Sequence, residues 1–133
     1  MAELKECNDI TLRYGLFLSD KQIASIAEKR FEALKETGRI EFGHGILKKL
    51  IYEFCDSPYI TQDNYEEIIC ELQDSFYYFK NESMDVATDD EIVSFMKYHF
   101  DSDCQGSVEY LCDVALEDLC RYIRSGGRPD LDD

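Results

Sequence analysis

Nowhere in the 133 residues does an apolar run approach the ~18–20 residues that a membrane-spanning helix needs. The N-terminus, Met1-Ala-Glu-Leu-Lys-Glu-Cys-Asn-Asp9, lacks the basic-then-apolar pattern of a signal peptide, so a cytoplasmic protein is expected. In that compartment the six cysteines are expected as free thiols in packed positions, not as a disulfide framework. Cations are scarce in one half of the chain. Residues 61–133 hold five Lys or Arg against nineteen Asp or Glu, a net of −14, whereas residues 1–60 stand at −1. Without a cationic cluster to release counterions, direct binding to nucleic acid is disfavoured, and so is an anionic membrane surface. A basic protein is the partner such a surface suits, although acidity of this kind also serves simply to keep a small protein in solution. No glycine-rich phosphate loop, Gly-x-Ser-x-Gly elbow, His-Glu-x-x-His helix or Cys-x-x-Cys pair is present. Internal repeats and low-complexity blocks are missing too.

What the chain does have is helical periodicity. Hydrophobic residues at 44% and charged residues at 32% describe one globular domain over 1–133, with 1–8 and 127–133 expected to be flexible. Tyr65, Ile68, Ile69, Leu72, Phe76 and Phe79 recur at the spacing of one helix face. Thr61 is read as the N-cap of that helix, with Ile60 and Tyr65 as its hydrophobic staple. Phe76-Tyr-Tyr-Phe79 makes its last turns apolar nearly all round, which predicts a central helix with neighbours on several sides. Before it, Ser19 with Gln22 forms a capping box for a helix whose inward stripe is Ile23, Ile26, Ala27, Phe31 and Leu34, closed by Gly38. Gly43-His44-Gly45 opens a helix that carries Ile46, Leu47, Leu50, Ile51, Phe54 and Cys55, and ends at Asp56-Ser-Pro58. Thr88 with Glu91 caps a fourth helix, and Ser107 or Gly106 opens a fifth. Ile10, Leu12 and Tyr14 alternate with polar residues, so residues 5–18 are expected as an extended N-terminal arm, and 39–43 as a second extended stretch. The fold class that follows is all-α: a compact single-domain bundle of about five helices with a short extended N-terminal arm.

Several stretches invite chemistry. Asp101-Ser-Asp103-Cys-Gln105-Gly106 runs on to Cys112 like an EF-hand loop, with acids at its first and third positions and glycine at the sixth. Gln105 at the fifth position and Cys112 at the twelfth remove two oxygen donors, so Asp101, Asp103 and Gln105 are weak metal candidates and a glycine-hinged turn is the better reading. Cys104 before a helix start, with His99 five residues upstream, has the types of a thiol nucleophile and base. Asp101 and Asp103 oppose that reading, because they favour the protonated thiol. His99, Cys104, Cys112 and Cys120 lack zinc spacing, and the two later cysteines read as core. Glu41-Phe-Gly-His44 is a single Glu-x-x-His broken by glycine, whereas di-iron bundles need two. No cofactor or catalytic residue is therefore assigned. Glu109, Asp113 and Glu117 step along the last helix, and Glu67, Glu71 and Asp74 along the central one, as carboxylate ridges. With Tyr77 or Tyr78 as an aromatic anchor, the candidate partner surface is Tyr77, Tyr78, Glu109, Asp113 and Glu117. The same ridges are ordinary solvated helix faces if nothing docks there.

Tyr14-Gly-Leu-Phe-Leu-Ser19, Gly38-Arg-Ile-Glu-Phe-Gly43, Phe54-Cys-Asp-Ser-Pro-Tyr-Ile60, Phe76-Tyr-Tyr-Phe-Lys-Asn-Glu82 and Cys104-Gln-Gly-Ser107 run across most of the chain. On these features it resembles a family of short bacterial proteins of unknown function. That resemblance implies no activity, ligand or site residue. The functional expectation is a non-catalytic protein-interaction or accessory module using the acidic C-terminal half. An enzyme of unrecognised type, or an acidic mimic of nucleic acid that binds a basic protein, is the alternative.

Overall fold

Helices account for the regular structure in the computed structural model, which describes residues 2–40, 45–83 and 86–126. In order they are α1 (Ala2–Glu6), α2 (Asn8–Thr11), a 3-10 turn (Leu12–Tyr14), α3 (Asp20–Thr37), α4 (Leu47–Phe54), α5 (Tyr65–Glu82) and α6 (Asp89–Asp101). The last helix runs as α7 (Val108–Tyr110), a π-helical stretch (Leu111–Leu116) and α8 (Glu117–Arg124). The all-α expectation holds, and no strand occurs among the described residues.

The two capping boxes form as their sequences require. Ser19 accepts from the Gln22 N–H at 3.2 Å while Gln22 accepts from the Ser19 N–H at 2.9 Å, and Thr88 with Glu91 repeats the pattern. Gly38, at φ 68°, ends α3 in the left-handed conformation. α5 is the centre of the molecule and packs against α3, α4, α6 and α7. Its predicted stripe is buried throughout, and Cys70, Gln73, Ser75, Tyr77 and Lys80 are buried as well. Hydrogen bonds at both ends fix its direction relative to α3. The Gln62 carboxamide meets the Phe17 N–H and carbonyl before the two helices begin, both at 2.8 Å. Asn81 donates to the Thr37 carbonyl at 2.8 Å where they end. α3 and α5 therefore run parallel, with matched ends. Lys80 extends from the core to the Ala87 carbonyl at 2.6 Å and to Asp89 at 3.0 Å, which ties the end of α5 to the start of α6. Phe54 and Phe100 meet edge to face at 5.4 Å between α4 and α6.

Three local expectations are corrected. The arm at 5–18 is not extended: residues 2–14 are helical turns, and only 16–19 are extended coil. Leu4, Cys7, Asn8 and Thr11 are the buried positions of these helical turns, at i, i+3, i+4 and i+7, so the residues that alternate, Ile10, Leu12 and Tyr14, are left in solvent. Residues 127–133 lie outside the described residues, as do 41–43 of the second arm. Thr61 does not cap α5. Asn64 precedes the helix, and its carboxamide turns back to accept from the Thr61 N–H at 2.8 Å and donate to the Tyr59 carbonyl at 3.2 Å. Phe31, placed inward from its spacing, is 69% exposed, because the buried line of α3 follows Ile23, Ile26 and Ala33.

Candidate functional site

Parallel packing of α3 on α5 leaves a valley between one edge of each helix. On α5, Glu67, Glu71 and Asp74 fall on one face at i, i+4 and i+7, and Tyr78 continues the same line one turn on. On α3, Lys29, Glu32 and Glu36 face them, with Ala33 and Cys70 deeper. Together they line an open groove of 390 Å³ with five carboxylates and one ammonium. Burial and the neighbouring Glu67 carboxylate push the Glu71 carboxyl up from its ordinary value. Burial and Glu36 raise Asp74, with Lys29 opposing. Burial pushes the Cys70 thiol up to about 11, with Lys29 opposing the acids around it. An arrangement of this kind favours an incoming cation and disfavours any anion. It does not generate a nucleophile.

The residues singled out in the sequence are only partly brought together. Tyr77 is fully buried and edge-on to Phe76 at 5.6 Å, so it offers no surface; Tyr78 is 58% exposed. Glu109 and Asp113 are exposed on the last helix. Glu117 is half-buried and lies 3.7 Å from Arg121 and 3.9 Å from Arg124, so its charge is already answered within the fold. Ser75 and Cys112, in contact at 2.8 Å, bind α5 to the π-helical stretch. Glu32 and Glu36 were passed over in the sequence. Their own i, i+4 step was the available signal, but nothing local says that it faces a second acidic ladder.

The EF-hand-like loop uses its acids internally. Asp101 accepts from the Ser57 hydroxyl at 2.6 Å and pairs with Lys97 at 2.7 Å, and Lys97 also holds Asp56 at 2.8 Å. Asp103 meets His99 Nδ1 at 2.8 Å, which holds the Asp103 carboxyl below its ordinary range. Gln105 is exposed, at φ 48°, and Gly106 follows at φ 82°. The loop is thus a tight connection between α6 and α7 that joins them to the end of α4. Among the described residues no group of three His, Cys, Asp or Glu side chains could hold a metal ion. Cys104 is buried, and burial with the nearby Asp103 carboxylate pushes its thiol up to about 11, the wrong direction for a nucleophile. All six cysteines are free. Cys120 is buried and Cys112 half-buried. Glu41 and His44 lie outside the described residues.

Among the described residues no helix is long and apolar enough to cross a membrane. No curated protein and no solved structure matches the chain. A family model does match, over residues 3–129, which takes in the helices from α2 onward, all of α1 but Ala2, and both walls of the groove. The chain belongs to the family of unknown function DUF6323.

Proposed function

We propose that the protein is a non-catalytic docking module whose α3–α5 groove receives a Lys- or Arg-rich segment of another protein. The observation that carries this reading is the gathering of Glu32, Glu36, Glu67, Glu71 and Asp74 around one open groove whose lining holds Lys29 as its single cation. Partial burial, and after it the repulsion of neighbouring carboxylates, raises the Glu71 and Asp74 carboxyls. A guanidinium or ammonium entering the groove offsets that repulsion with opposite charge, and complementary charge sets orientation and encounter rate. Tyr78, exposed on the same face of α5, supplies an amphipathic ring at the groove's end.

An oligo-arginine peptide titrated into the full chain tests the reading. Binding is expected to weaken steeply as salt rises. Joint replacement Glu71→Gln and Asp74→Asn should reduce affinity by roughly tenfold or more, and Tyr78→Ala by a smaller factor. Binding indifferent to salt, or unchanged in the double variant, would remove the groove from consideration. Capture of an acidic protein as the physiological partner would do the same.

A further inference from the structure

We draw no further inference here: the strongest candidate, the surface patch of exposed Tyr110, Val114 and Tyr122 on the last helix beside the Glu109 and Asp113 carboxylates, is an unpartnered helix face, and nothing in the structure shows what covers it.

Discussion

Gly106 and Gly38 share a left-handed backbone, at φ 82° and 68°, yet their surroundings differ. A Cβ on Gly38 would meet nothing within 4 Å, whereas one on Gly106 would stand 2.5 Å from the Tyr59 Cβ and 2.7 Å from its Cγ. The Tyr59 ring is itself seated edge-on against Phe100 at 6.3 Å. Gly38→Ala should therefore cost about 1 kcal/mol, the backbone penalty alone. Gly106→Ala should cost about 1–3 kcal/mol more, because the ring or the loop must move. Urea denaturation midpoints compare the two directly. Equal losses would mean that Tyr59 yields freely and that contact with the end of α4 does not shape the loop.

At the scale of the element, helix starts are where local sequence has the most authority. Ser19 and Thr88 each satisfy a first-turn N–H and receive a reciprocal side-chain bond, so Ser19→Ala and Thr88→Ala should each lower stability by about 1 kcal/mol. Their thermal midpoints should fall while the folded spectrum stays unchanged. A loss below a few tenths of that figure at both sites would show that tertiary contacts, not caps, hold these helix ends. α5 begins differently, on a turn in which Asn64 bonds backward to residues 59 and 61. The burial that surrounds α5 lets it dispense with a side-chain cap. The last helix carries a π-helical stretch at Leu111–Leu116, where wider turns place both Ala115 and Leu116 against the core. No periodicity in the sequence signals that widening.

For the whole molecule, the excess of carboxylates sets how stability responds to pH. Burial and neighbouring acids raise the Glu71 and Asp74 carboxyls above 4.5 and 3.8, so the folded chain holds those protons more tightly than the unfolded one. Their contribution is present in full below the unfolded values and is lost as pH rises through the raised ones. At low salt the melting temperature should therefore rise as pH falls from neutral toward about 5. Added salt at neutral pH should act in the same direction by screening. Glu71→Gln should flatten the pH dependence. Asp103, held low by His99, opposes this only below its ordinary 3.8. A melting temperature that fell steadily over the same interval would mean that the ion pairs of Lys80, Lys97 and Arg124 outweigh the groove.

The helices from residue 19 onward, their caps at Ser19 and Thr88, the central place of α5 and the uneven charge were legible in the sequence, because each depends on spacing within one segment or on simple composition. The N-terminal arm was misread because Ile10, Leu12 and Tyr14 alternate like a strand. Its burial is decided instead by Leu4, Cys7 and Thr11, which make sense only once α3 and α4 are there to cover them. Tyr77 and Tyr78 are adjacent and chemically identical; a rotation of about 100° around α5 sends one into the core and the other into water, and only the neighbouring helices determine which. The groove was half legible. Glu67, Glu71 and Asp74 form a ladder on one helix that any helical wheel displays. The second ladder, Glu32 and Glu36, comes from a segment more than thirty residues away, brought alongside by bonds from Gln62 and Asn81 that hold α3 parallel to α5.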